Sequence, residues 1–215
     1  MARAKKVWIK QFYERDRHCL SSIARTGLIE KEDFDKYGVK DGRMKNYIRD
    51  NLIEEKYCNK AEKSFYVLTD AGKKHVEDNY NVDKCYNFKS YEHDVDVKNM
   101  YSQLSDTERE RVRTEIEIRR DVLDAIKELK QSDDAEERAR GFDLDLKLMN
   151  GELSCPDFAY VSDEDYEKYG DSCSVLSGTV TMCETITQNY KQSTIEAKVA
   201  LADAFSCTLN LSYTY

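Results

Sequence analysis

The chain has 215 residues, 35% of them charged, and a mean hydropathy of −0.78. No apolar run approaches the roughly 18–20 residues of a membrane helix, and the opening Met-Ala-Arg-Ala-Lys-Lys lacks the apolar stretch of a secretion signal, so a protein of the cytoplasm with no membrane partner is expected. The net charge of −8 hides an asymmetry: Met1 to Val76 carries 18 Lys+Arg against 12 Asp+Glu, and Glu77 to Tyr215 carries 16 against 30.

A basic front can hold phosphates while an acidic back stays clear of them, which suggests two domains with different partners. Cys19, Cys58, Cys85, Cys155, Cys173, Cys183 and Cys207 are irregularly spaced and form no C-x-x-C pair, and only three histidines are present. This excludes a disulfide framework and a structural zinc site as expectations and leaves reduced thiols.

In chain order, Asp16 to about Thr26 reads as a helix capped by Asp16, with Leu20, Ile23 and Ala24 on one face and Gly27 at its end. Leu28 and Ile29 follow as buried linker residues. Lys31 to Tyr37 is a short helix with Phe34 and Tyr37 inward. After the turn Gly38 to Gly42, a third helix runs to Asn51 on the stripe Met44, Tyr47 and Ile48. Ile53 to Cys58 and Ser64 to Leu68 are strands about a polar turn, with Phe65 and Val67 alternating against Tyr66 and Leu68. Thr69 caps a fourth helix with Ala71, Val76 and Tyr80 inward.

Three helices, a hairpin and a helix are the layout of a winged helix-turn-helix, and the segment YVLTDAGKKHV resembles the exit from the wing in that family. The match covers roughly Arg15 to Tyr80. In that motif the third helix enters the major groove of duplex DNA. Arg43, Lys45, Asn46 and Arg49 lie off the apolar stripe, and Arg and Asn are the side chains that pair bidentately with guanine and adenine. Lys36 and Lys40 flank the turn and suit phosphates. Lys60 and Lys63 sit at the wing tip. Asp50, Glu54 and Glu55 are expected to lie away from DNA.

Helical periodicity stops across Glu77 to Glu92, which sets a first domain at residues 1–82 and a second at 92–215. A helix then starts near Asp94 on the stripe Val97, Met100, Tyr101 and Leu104, with His93 and Asp94 as boundary and cap residues or, in the minority reading, as a catalytic or metal-binding pair. Ser105 to Gln131 reads as one long charged helix, capped by Ser105 with Glu108 and carrying Val112, Ile116, Leu123 and Ile126 on a narrow face. It suits either pairing with a second copy, giving a homodimer, or packing on its own domain. Beyond Asp133 to Glu137 the chain turns strand-like: Leu153 to Val161, Ser177 to Thr187, a helix from Ser193 to Phe205 with Ile195, Val199 and Ala202 on one side, and a last strand Ser206 to Tyr215. The fold class expected is α+β, a winged helix followed by a small α/β domain.

A winged helix, then HD-x6-Y at His93, Asp94 and Tyr101, then Pro156-Asp157 and a strand bearing Glu184-Thr185, resembles the replication-relaxation family of plasmids and integrative elements. The resemblance implies a back half similar to a degenerate restriction-endonuclease-like fold and a role in plasmid replication or DNA transfer, with replication or transfer proteins as partners. A nuclease of that fold needs two or three carboxylates about Mg2+ and a nearby lysine. The matching positions are Asp157 and Glu184, with Glu115 or Glu117 on the preceding helix. Ile186 stands where the lysine belongs, with Lys191 and Lys198 further along. That departure weighs against catalysis, and three scattered histidines do not make the cluster a relaxase uses.

The expectation is therefore a sequence-specific, non-catalytic duplex-DNA-binding protein of a mobile element with no cofactor. Two alternatives stand beside it: a winged-helix transcriptional regulator whose back half dimerises or senses, and a Mg2+-dependent endonuclease.

Overall fold

A computed structural model describes residues 7–170, 176–188 and 190–213. The N-terminal hexapeptide, Cys173 and the last two residues of the expected final strand lie outside the described residues. The chain is a mixed α+β protein of two units, Met1–Lys98 and Asn99–Tyr215. Among the described residues no helix is long and apolar enough to cross a membrane, and the six described cysteines are free.

The first unit opens with α1 (Glu14–Thr26), the two-residue strand β1 (Ile29–Glu30), α2 (Asp33–Lys36) and α3 (Asp41–Arg49). β2 (Ile53–Cys58) and β3 (Lys63–Leu68) form the antiparallel hairpin, α4 (Asp70–Asn79) follows, and β1 pairs on the far edge of β3. Leu20, Ile23, Ile29, Met44, Tyr47, Leu52 and Val76 meet in one core. Thr69 caps α4 by accepting from the Gly72 N–H at 3.0 Å. Gly72 is required there, because a Cβ would stand 1.9 Å from the Leu52 carbonyl oxygen.

Several expectations shift by a residue or a face. Asp16 is not the cap of α1. It sits at the third helical position and accepts from the Tyr13 N–H at 2.7 Å, because its carboxylate is held inward by other donors described below. On α4 the buried residues are Gly72 and Val76, with Ala71 exposed. On α3, Ile48 is 37% exposed rather than inward. β3 is buried on both faces. Tyr66 and Leu68 join the main core, while Phe65 and Val67 pack with Leu28, Phe88 and Tyr91. The stretch Glu77–Glu92 is thus not a linker. Tyr86 donates its N–H to the Ala24 carbonyl at 2.6 Å, and Phe88 stacks on Phe65 with centroids 5.4 Å apart. The division falls later, between Lys98 and Asn99, inside α5 (Tyr91–Ser102). That helix begins three residues before the expected start at Asp94.

In the second unit the expected long helix is broken. α6 (Asp106–Glu110) ends at Arg111, β4 (Arg113–Thr114) follows, and α7 (Glu115–Gln131) starts afresh. Both helices carry their own cap: Ser105 accepts from the Glu108 N–H at 3.0 Å, and Thr114 from the Glu117 N–H at 3.4 Å. The buried face of α7 is Ile118, Val122 and Ile126, packed on its own unit, and Leu123 is 45% exposed.

The charged stretch after Gln131, read as leading into strands, is instead α8 (Ala135–Met149), capped by Asp134. It lies close on α7 at Gly141, where a Cβ would stand 2.7 Å from the Lys130 nitrogen. β5 (Phe158–Val161), α9 (Asp163–Tyr169), β6 (Val180–Ile186), α10 (Gln192–Ala204) and β7 (Thr208–Tyr213) complete the unit. The sheet order is β4-β5-β6-β7, with β5 and β6 antiparallel and β6 and β7 parallel. A parallel pair needs a crossover, and α10 supplies it. Its buried residues are Ala197, Lys198, Leu201 and Ala202, while Val199, expected inward, is 39% exposed.

Candidate functional site

Lys198 is the anomaly that locates the site. A lysine sits on the buried face of α10, one turn before Leu201 and Ala202, with 4% of its surface exposed. An ammonium taken from water must be paired. Its Nζ lies 2.8 Å from Glu184 Oε2 on β6 and donates to the Cys155 carbonyl at 2.5 Å. Asp157, just before β5, is the neighbour of Glu184. Its N–H donates to Glu184 Oε2 at 2.9 Å, and its Oδ2 accepts from the Thr185 N–H at 3.0 Å. The two carboxylates present oxygens within 4.8 Å of each other, and both residues have no exposed surface. Tyr190, from the loop before α10, donates its hydroxyl to Glu184 Oε1.

The register explains the convergence. Phe158 pairs with Cys183 and Ala159 with Met182, so Asp157 and Glu184 stand side by side at one end of the β5–β6 pair. Ala159 and Met182 share a core with Leu201 of α10, which is the side from which Lys198 arrives. Glu115, the first residue of α7, donates its N–H to the Asp157 carbonyl at 3.1 Å. Its charge helps push the Cys155 thiol, raised first by burial, up to about 11.

Electrostatically the charge of Asp157 acts on Glu184. Burial first, and the charge of Asp157 second, raise the pKa of Glu184 despite the opposing ammonium of Lys198 and the Tyr190 hydroxyl. Burial and the bond to Glu184 raise that of Tyr190. Two hard carboxylates side by side, and a raised proton affinity, suit a divalent cation such as Mg2+. Asp157 and Glu184 would hold it. When bound, such an ion lowers the pKa of water and polarises a phosphoryl oxygen.

Of the residues named from sequence for this centre, the carboxylates of Asp157 and Glu184 are brought together, whereas Glu115 meets Asp157 through its backbone N–H. Glu117 is not part of it, since its carboxylate accepts from the Thr114 N–H at 2.7 Å as a helix cap. Ile186 is buried, and the ammonium beside Glu184 is that of Lys198 on the next helix. Lys191 is exposed at the start of α10. Tyr190 was not anticipated, because no local pattern marks a loop tyrosine as a carboxylate partner.

The eight residues expected to contact DNA fare unequally. Arg43 is withdrawn. It turns into the first unit, giving Asp16 hydrogen bonds of 2.8 and 2.6 Å and the Gln11 carbonyl one of 2.7 Å. Tyr47 adds its hydroxyl to the same carboxylate. Burial alone would raise the Asp16 pKa, yet these donors bring it below the ordinary value.

Lys36 pairs with Asp33 at 2.6 Å, Lys40 with Asp35 at 2.9 Å, Lys60 with Glu92 at 3.1 Å and Lys63 with Glu30 at 2.9 Å. All four lysines are well exposed, but Asp33 and Glu30 are largely buried, so only the Lys40 and Lys60 pairs are of the surface kind worth about 0–1 kcal/mol, little against a phosphate. Lys45 and Arg49 are exposed one turn apart on α3, and the Arg49 Nη1 reaches Asn46 Oδ1 at 3.4 Å.

His93 and Asp94 form a close pair, Nδ1 to Oδ1 2.9 Å. Asp94 is fully buried and accepts from the Lys89 N–H at 2.9 Å. It thus secures the turn into α5. Tyr101 packs edge-on to Phe158, with centroids 6.5 Å apart. No family model, curated protein or solved structure matches the chain.

Proposed function

We propose that this chain acts on DNA, binding duplex through its first unit and carrying in its second a centre for metal-assisted phosphodiester hydrolysis. The observation that carries the reading is the placement of Lys198 Nζ 2.8 Å from Glu184, on the strand beside Asp157. A cation there answers the objection raised by Ile186. Its charge and N–H groups are suited to stabilise negative charge developing on a phosphoryl group, while Asp157 and Glu184 hold the metal.

The order helix, antiparallel strand pair, crossover helix and parallel strand supports a restriction-endonuclease-like second unit. Three helices, a hairpin and a helix support a winged helix in the first, with Lys45, Asn46 and Arg49 of α3 as the groove-reading set and Lys36, Lys40, Lys60 and Lys63 at phosphates. On the resemblance to the replication-relaxation family, we read this activity as part of plasmid replication or DNA transfer.

The complete burial of Asp157 and Glu184 favours a second reading. In it the same network is a structural staple in a non-catalytic DNA-binding protein, as a replication factor or a regulator. Incubation of the full chain with supercoiled plasmid and with single strands, in Mg2+ or Mn2+, separates the two. Cleavage by the wild type that is lost in Asp157→Asn and Lys198→Met supports the hydrolytic centre. An inert wild type, or cleavage unchanged in Lys198→Met, would falsify it.

A further inference from the structure

The extended segment ahead of α1 is strapped across the end of α3. The Asp50 carboxylate, just past that helix, accepts from the Trp8 N–H at 2.9 and 3.1 Å and from the Ile9 N–H at 2.7 Å. Ile9 is buried in the core, and the Gln11 carbonyl is held by Arg43. The backbone of the strap is therefore fixed at three points, yet of its aromatic side chains only Phe12 packs on the core. Trp8 is 40% and Tyr13 48% exposed.

Each exposed ring is backed by a guanidinium. Arg49 lies 4.5 Å from the Trp8 centroid, and Arg15 lies 5.1 Å from that of Tyr13. Lys10 is exposed between them, and Lys45 is exposed one turn before Arg49. The acidic groups of this stretch are engaged: Asp50 by the strap amides, Asp16 by Arg43, and Glu14 by Arg17 and His18.

A large aromatic face held rigid, backed by a cation and flanked by exposed lysines, matches the chemistry of base stacking. Every base has a π-face, and the backbone that follows it is anionic. A paired base inside a duplex cannot offer that face. We infer that Trp8, backed by Arg49, is a stacking platform for an unpaired nucleobase, so that the protein prefers DNA in which a single strand adjoins a duplex. The inference rests on the proposal that α3 meets DNA and adds to it a structural class of site.

Trp8 is the chain's single tryptophan, so its emission reports the platform directly. The full chain is titrated with a blunt duplex, with the same duplex bearing a short single-stranded overhang, and with oligothymidine. Affinity is read independently from the anisotropy of labelled DNA. The expected result is quenching of Trp8 by the overhang and oligothymidine beyond that by blunt duplex. Trp8→Ala should lose about tenfold in affinity for the overhang alone, and Trp8→Phe should recover most of it. The strap is pinned by backbone amides, so the alanine variant keeps the fold.

Tight binding of all three DNAs with no preference and no change in emission would overturn the platform while leaving duplex binding intact. Absence of binding to any DNA would overturn both readings.

Discussion

The two units each bury a carboxylate with one cation and one tyrosine, and the two networks behave oppositely. In the first unit Asp16 receives Arg43 through two nitrogens, the Tyr47 hydroxyl and the Tyr13 amide, and its pKa falls below the ordinary value in spite of burial. In the second, Glu184 receives Lys198, the Tyr190 hydroxyl and the Asp157 amide, and its pKa rises. The donor sets are nearly equivalent. The difference is Asp157, a second buried carboxylate whose charge is among the causes that raise Glu184. A lone carboxylate held low by its donors ties helices in register, whereas two buried carboxylates side by side are costly to fold around and suited to taking up a cation.

The sharpest way to break this comparison is to remove the cation from each side. Arg43→Met should destabilise the protein by about 3–5 kcal/mol, because it strands a buried carboxylate whose other donors all favour the charged form. Lys198→Met should cost less, about 1–3 kcal/mol, because burial and Asp157 raise the proton affinity of Glu184, which can take up a proton once the ammonium is gone. Urea unfolding at neutral pH measures both, and equal losses would remove the distinction. Asp157→Asn keeps an oxygen to accept from the Thr185 N–H and removes one of the two adjacent carboxylate charges, so the fold should be retained with loss of any Mg2+ response. A large destabilisation would mark Asp157 as part of the scaffold.

A third network sharpens the point through pH. Glu30 and Asp33 share Lys98, at 2.5 and 2.7 Å, and Lys63 and Lys36 add a partner to each. Cations outnumber carboxylates, and both pKa values are lowered. Burial opposes this at Glu30, yet the bonds from Lys98, Lys63 and Tyr91 bring it to about 2 from 4.5. A depressed folded-state value gives stability that is complete above the unfolded value of 4.5 and lost as pH falls toward about 2. Glu30→Gln should therefore flatten the acid limb of the stability curve in that window and leave the neutral-to-basic limb unchanged in slope. An unaltered acid limb would contradict the assignment. The smallest effect expected is at Lys45. Its replacement by alanine should weaken all duplex DNA modestly and reduce the salt slope of binding by about one, measured by anisotropy at several salt concentrations.

The sequence made the first unit largely legible, because its helices and hairpin follow clean periodicities and its caps are local. Thr69 and Ser105 needed only neighbours a few residues away. What escaped depends on distant partners. Arg43 looks like a groove reader on a helical wheel, and only the approach of Asp16, 27 residues earlier, turns it inward. α8 was missed because Phe142, Leu146 and Met149 form an exposed apolar stripe that blurs the buried one at Gly141 and Leu144. Glu77–Glu92 reads as polar, yet Val82, Cys85 and Tyr86 are buried. Asp157 and Glu184 were visible as short motifs. Lys198 could have been singled out, since it falls in register with the buried face of α10, but only strand register shows that this face meets Glu184.

The measurement that tests the central claim most directly is thermal unfolding of the full chain against increasing Mn2+, run in parallel on Asp157→Asn. If the paired carboxylates are a cation site, Mn2+ raises the Tm of the wild type in a saturable way and leaves the variant unmoved. A wild type indifferent to Mn2+, or a variant that responds equally, would contradict it and leave Lys198, Glu184 and Asp157 as scaffold.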